Sequence, residues 1–316
     1  MKNRLHKLSL LIKDFGILFC LKYCYYKYTR KTDSYLNLVY KYLEKFFADE
    51  INDFKQRDFD KEQISTEPSN KIWVCWWQGF DKMPILCKIC YSHLKEIIPS
   101  NLELILITKD NYAQYANIPI HIIEKLENNV LNVTQFSDIL RNSLLYHNGG
   151  TWIDSSIWCN EHFIDYINNN ATFWSAKLGH IDDPHVTGQR ISQCMWSSFL
   201  MHGKKGNPIS EFVYKCMCKY FQEHEYTIDY FLQNISIRLA YLHIPHIHEI
   251  IESIPISNPH LYDLYRVMDD AFEEETWQRY NADTSFFKLT QKRPYPETAN
   301  GMPTFYSHLK QLANIK

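Results

Sequence analysis

Glycine is scarce, with 9 in 316 residues, which excludes collagen-like and glycine-linker architectures. No uncharged apolar run reaches the roughly 18–20 residues that cross a bilayer. The most apolar stretch, "LSLLIKDFGILFCL", is cut by Lys13 and Asp14. It also lacks a small-residue cleavage site, so no secretory signal is expected. Cysteine is present but unorganised. The nine residues are odd in number and follow no framework spacing, as in the free thiols of a reducing cytosol. The "CKIC" at 87–90 has no second Cys or His pair at zinc-finger spacing. There is no P-loop, no GxGxxG and no Ser-His-Asp order. A net charge of −2 gives no argument for nucleic acid.

Apolar residues at 45%, with aromatics at 15%, can supply a large core. Charge is distributed unevenly. Residues 1–31 hold eight Lys/Arg against Asp14 alone, a net of +7, so the remainder carries −9. A basic end on an acidic body suggests a local anionic partner. A membrane surface fits best, since each Lys or Arg near it contributes about 1 kcal/mol. Leu8 to Tyr28 reads as an amphipathic helix lying in the interface. Packing of that helix on the body or on another subunit is the alternative.

Three regions follow from the pattern: the basic segment 1–31, a helix and polar linker over 32–68, and an α/β domain over 69–316. Within the last, "KIWVCWW" and "LELILIT" read as strands buried on both faces. "PIHII" reads as a third strand and "TWID" as a fourth, with helices "MPILCKICYSHLKEII" and "VTQFSDILRNSLLYHN" between them. Alternating strands and helices imply a parallel-rich sheet. Ligands of such sheets sit beyond the carboxyl ends of strands, where Trp77 and Asp154 stand. In the second half, "ATFWSAK" and "WSSFLMH" are strand candidates. "TIDYFLQNISIRLAYLH" is helical, and the tail through "MPTFYSHLK" is extended with a terminal turn.

Asp138 and Arg141, three apart, share one helix face. Alone they would be an ordinary surface ion pair. Asp154, after the Gly149–Gly150 turn, could hold a divalent cation, a ribose hydroxyl or a sugar hydroxyl, or cap the next turn. Trp76 and Trp77 should alternate sides, so only one is expected to face a site. His180, Asp182, Asp183 and His185 cluster in a Pro- and Gly-bearing segment that reads as a solvated loop.

The run "FSDILRNSLLYHNGGTWIDSS" resembles the signature of DXD glycosyltransferases: S-D-x-x-R, an apolar helix, G-G, then an aromatic and D-x-D. With "KIWVCWWQG", "ITKDNY", "IDYFL" and "TFYSHL" in order over roughly 70–310, the chain resembles the bacterial capsular polysaccharide synthesis protein family. That resemblance implies a GT-A fold, Rossmann-like and nucleotide-sugar-binding. It also implies sugar transfer, with retention, from a nucleotide-sugar donor, by default a UDP-sugar, to a glycan or lipid-linked oligosaccharide. It places Asp138 and Arg141 on the donor sugar and Asp154 at the first DXD carboxylate. Trp77 would stack on the base, with Gln78 and Thr108 beside the nucleotide. Asp229, in "IDYFL", would either contact the acceptor or serve as the charge at a helix N-terminus, and the loop that holds His185 is expected on the acceptor side.

The second DXD acid is Ser156. An implied Mn²⁺ or Mg²⁺ would then rest on Asp154, Ser156 and a late ligand, His308. Alternatively, Lys288, Lys292 and Arg293 would supply the positive charge. The Ser156 departure also admits a non-catalytic scaffold that binds the nucleotide-sugar or glycan. Location on the inner face of the cell membrane is the expectation.

Overall fold

The computed structural model describes residues 2–61, 64–65, 69–167, 171–179 and 187–315. Four helices come first: α1 Lys2–Phe15, α2 Ile17–Tyr28, α3 Thr32–Phe46 and α4 Ala48–Gln56. The body follows as β1 Lys71–Cys75, α5 Ile85–Ile97, β2 Glu103–Ile107, α6 Ile120–Glu127, α7 Val133–Asn148, β3 Gly150–Ile153 and β4 Ile157–Cys159. It continues through α8 Ile164–Ile167, β5 Phe173–Ser175, α9 Thr187–Ser192, β6 Leu200–Gly203, α10 Pro208–Glu223, α11 Leu232–His243 and α12 Pro245–Ser253. The last elements are α13 Leu264–Val267, α14 Glu274–Asn281, β7 Phe286–Lys288, β8 Thr298–Ala299, β9 Met302–Pro303 and α15 Phe305–Leu312.

The chain is mixed α/β around a five-stranded sheet of order β2-β1-β3-β6-β5. β2, β1 and β3 run parallel, as the alternating pattern predicts, and β6 and β5 add antiparallel. Ile72, Trp73 and Val74 are buried between helical layers, as expected of a strand covered on both faces. A two-stranded ribbon, β4 with β7, leaves the sheet just after β3.

The expected strand at 119–123 is instead α6. Pro119 is its N-cap, and a short apolar run cannot be told from a buried helix turn by periodicity. Its Ile122 is fully buried. The tail also departs from expectation. Thr304 caps α15, its hydroxyl accepting from Ser307 N at 3.2 Å, and Phe305 and Leu309 are buried in a second apolar cluster with Leu264 and Met268.

The N-terminal segment is two helices, broken at Gly16 with φ 79°, rather than one. One face docks on the body. Asp14 accepts from Glu225 N at 2.8 Å and Tyr226 N at 2.6 Å, and Tyr23 donates to the Ile228 carbonyl at 2.8 Å. Leu11, Cys20 and Tyr23 are buried there. Residues 32–56 pack on the body as well: Val39, Leu43, Phe47, Ile51 and Phe54 belong to the main core.

Candidate active site

α7 aims the central residues. A capping box opens it: Asn132 Oδ1 accepts from Gln135 N at 2.9 Å and Gln135 Oε1 accepts from Asn132 N at 3.3 Å. Phe136, Ile139, Leu140 and Leu144 are fully buried, which turns Asp138 and Arg141 toward the end of β3. Gly149, with φ 66°, ends the helix. Gly150, with φ 102°, lets β3 lie against β1: a Cβ there would meet the Lys71 carbonyl oxygen at 2.4 Å. No other residue type tolerates both constraints. β3 then delivers Asp154 past its carboxyl end.

Asp138, Arg141 and Asp154 do converge. Arg141 is 5% exposed. Its Nη2 lies 3.1 Å from Asp154 Oδ1 and 3.4 Å from Asp138 Oδ1. Its Nη1 donates to the Ser198 carbonyl, and to Gln233 Oε1 at 3.2 Å. The guanidinium also lies over Trp152, 4.8 Å from the ring centroid. Both terminal nitrogens are therefore engaged by the protein, so that Arg141 holds the two carboxylates together, and its Nε is the nitrogen left without a partner.

The two carboxylates differ in charge. Burial pushes the Asp138 carboxyl up to about 7; Arg141 lowers it only in part, and Asp154 raises it further. Burial also opposes ionisation of Asp154, but Lys288 and then Arg141 outweigh it and hold that carboxyl below its ordinary value. One acid is thus poised to titrate near neutrality while its neighbour stays charged, a pairing typical of functional sites.

Two adjoining cavities meet at Asp154, Ser155, Thr134 and Gln291. One, of 320 Å³, is walled by Trp76, Trp77, Gln78, Arg141 and Trp152. The other, of 480 Å³, is walled by Tyr230, Tyr262, Tyr265, Lys288 and Lys292. Trp76 and Trp77 line the same cavity, against the expected alternation. β1 ends at Cys75 and both indoles belong to the following turn, closed by Gly79 N to the Trp76 carbonyl at 2.9 Å. Trp76 Nε1 and Arg141 Nε are buried without a hydrogen-bond partner, and such orphans mark where a ligand acceptor is wanted. Burial pushes the Cys75 thiol up to about 12, so it is no nucleophile.

Several anticipated residues lie elsewhere. Thr108 is held in a local turn by Asn111, whose Oδ1 accepts from Thr108 N at 2.8 Å, and it lines neither cavity. Asp229 accepts from Tyr35 OH and from Phe231 N at 2.7 Å; its neighbour Tyr230 is the one on the cleft wall. His308 stacks on Phe272 with ring centroids 3.9 Å apart, beside the second apolar cluster and off both cavities. His185, with His180, Asp182 and Asp183, falls outside the described residues. Arg293 pairs with Asp269.

The residue that sequence reasoning placed least firmly is the most central. Lys288 Nζ lies 3.0 Å from Asp154 Oδ2 and 3.1 Å from Ser156 Oγ. β7 brings it there, with Lys288 opposite Ile157 in the register. Basic character in "FFKLTQKRP" was the available signal; which of its cations reaches the site depends on a long-range strand pairing.

A family model of capsular polysaccharide synthesis proteins matches residues 23–309. The match begins well before residue 70, so it takes in α3 and α4, in keeping with their place in the core. No curated protein matches the chain. With most of its length covered by that family model, the chain belongs to the capsular polysaccharide synthesis protein family.

Proposed function

We propose that the protein is a GT-A glycosyltransferase that moves a sugar from a nucleotide-sugar donor onto a glycan acceptor during capsule synthesis. The observation that carries this reading is the meeting of Trp77, Asp154 and the buried Arg141 on one cleft beyond the ends of parallel strands. The base stacks on Trp77, a contact of about 1–3 kcal/mol. Asp138 lines neither cavity and acts through Arg141, its ion-pair partner at 3.4 Å. Asp154 is the acidic side chain on the walls of both cavities. Among the described residues no carboxylate besides Asp154 lines either cavity, which favours a retaining route in which the departing phosphate takes the acceptor proton.

The test is nucleotide release from a panel of nucleotide-sugars by the pure protein. Transfer or hydrolysis with at least one donor is expected, and Asp154→Asn should lower it by at least about 100-fold. Absence of release with every donor would overturn the proposal. Binding of the donor without turnover would favour a scaffold.

The acceptor is a lipid-linked oligosaccharide reached from the anionic inner face of the membrane. Two features support this. α1 and α2 leave an uncovered stripe of Leu5, Leu8, Ile12, Leu18, Leu21, Tyr25 and Tyr28, flanked by exposed Lys7, Lys13, Lys22 and Lys27. No helix among the described residues is long and apolar enough to cross a bilayer. A third cavity, of 510 Å³, runs beside His6 and Lys7 to Tyr230, which also walls the cavity at Asp154. Vesicle co-sedimentation should require anionic lipid and weaken with salt. Replacing Leu18 and Leu21 together by Glu should cut binding by at least about 10-fold. Undiminished binding of that variant would remove the membrane from the proposal.

A further inference from the structure

A DXD enzyme binds its donor diphosphate through a divalent cation. Mn²⁺ and Mg²⁺ take about six oxygens, chiefly carboxylates, phosphates and water. The residues of this cleft do not fit such an ion. The second acidic position is Ser156, buried and neutral. Asp154 Oδ1 already accepts from Arg141 Nη2 at 3.1 Å and Trp152 Nε1 at 2.9 Å. Its Oδ2 accepts from Lys288. Among the described residues, no group of three His, Cys, Asp or Glu gathers that could hold a metal. The space between Asp154 and Ser156, where a cation would rest, holds the Lys288 ammonium. A divalent ion added there would meet that charge at contact distance, with only one carboxylate to offset both.

Lys288 is fixed rather than loose. Its backbone N donates to the Leu261 carbonyl at 2.7 Å, and Leu289 N donates to the Ser156 carbonyl at 2.9 Å. The side chain crosses Phe199, with Nζ 4.7 Å from the ring centroid. The backbone thus ties the lysine to the same turn that carries Asp154 and Ser156. An ammonium has three N–H donors, and two are accounted for, which leaves one for a phosphate oxygen. Lys288 and Lys292 both line the 480 Å³ cavity.

Resting on the glycosyl-transfer reading above, we infer that the Lys288 ammonium takes the role of the divalent cation, so that this enzyme binds the donor diphosphate without metal. In the transfer, the bond between the anomeric carbon and the diphosphate oxygen breaks, and its electron pair stays on the diphosphate. The acceptor hydroxyl oxygen bonds to that carbon, and its proton passes to the departing phosphate. Lys288 exchanges no proton; its fixed charge meets the negative charge as it develops. Ser156 fits this role better than aspartate would. Its hydroxyl orients the ammonium without adding a second negative charge beside the diphosphate.

The experiment is calorimetric titration of the whole chain with UDP and with GDP, in EDTA and in Mn²⁺. One of the two should bind with equal affinity under both conditions. Lys288→Met should lose at least about 10-fold in affinity, with no recovery in Mn²⁺. Lys288→Arg, which keeps the charge, should retain most of the affinity and guards against a folding defect. The double variant Lys288→Met with Ser156→Asp frees the position and restores the acid, and it should regain binding only in Mn²⁺. Wild-type affinity that rises 10-fold or more on adding Mn²⁺ would overturn the inference and leave the glycosyltransferase reading intact. Unchanged binding by Lys288→Met would do the same. No binding of either nucleotide under any condition would overturn the reading itself, and the inference with it.

Discussion

Arg141→Ala should unfold more easily than the wild-type chain by about 3–5 kcal/mol and lose at least about 100-fold in transfer rate. The stability loss follows from what the guanidinium holds. Removing it leaves the Ser198 carbonyl and Gln233 without their donor, and it leaves Asp138 without its ion-pair partner in a buried setting. The rate loss follows because Asp154 is then steered by Lys288 and Trp152 alone. Arg141→Lys should rescue little, because a single ammonium cannot reach four acceptors in the planar fork a guanidinium provides. Urea denaturation with a donor assay checks both. An Arg141→Ala protein with an unchanged unfolding midpoint would show that the network carries no weight.

The second large effect is a pH dependence centred on Asp138. Its folded value of about 7 lies above the ordinary 3.8. Between those limits the native chain holds a proton that the unfolded chain has released, so stability falls as pH rises through this window. The contribution is at most about 4 kcal/mol, with its loss complete above neutrality. Asp154 works in the opposite direction: its depressed value adds stability that disappears as the solution is acidified below 3.8. Asp138→Asn abolishes the first slope. The variant and wild type should differ least at or below pH 3.8, and the variant should gain steadily as the pH rises to 7, by up to about 4 kcal/mol at pH 8. A difference between them that does not change with pH would contradict the assignment.

Residues 71–77 and 132–154 were the legible part. An apolar run covered on both sides, a helical stripe and two glycines are local signals, and local signals survive in a one-dimensional reading, whereas the capping box at Asn132 and Gln135 emerged only from the structure. They located β1, α7, β3 and the trio Asp138, Arg141 and Asp154. The chemistry of that trio was less legible. Arg141 is an obvious ligand in a string of letters, but its burial and its two extra acceptors come from α11 and the loop before β6. Lys288 lies more than 130 residues from its partners, and only the β4–β7 register singles it out from Lys292 and Arg293. His308 and Asp229 show the converse. Each sits in a suggestive motif, yet each is claimed by neighbours that the motif does not contain, Phe272 for one and Tyr35 for the other.

The loop between α10 and α11 joins two ends of the molecule. Ile228 accepts from Tyr23 and Tyr35, and Asp229 accepts from Tyr35. The next residue, Tyr230, stands on the cleft wall. A chain shortened to begin after residue 31 would therefore strip Tyr23 and Asp14 from this loop, as well as any lipid-facing surface. Such a truncation would confound loss of the proposed membrane contact with damage to the cleft wall at Tyr230. Point changes on the outward side of α2 are the cleaner instrument. The leading helices thus brace the loop at Glu225, Tyr226, Ile228 and Asp229, immediately beside the cleft residue Tyr230.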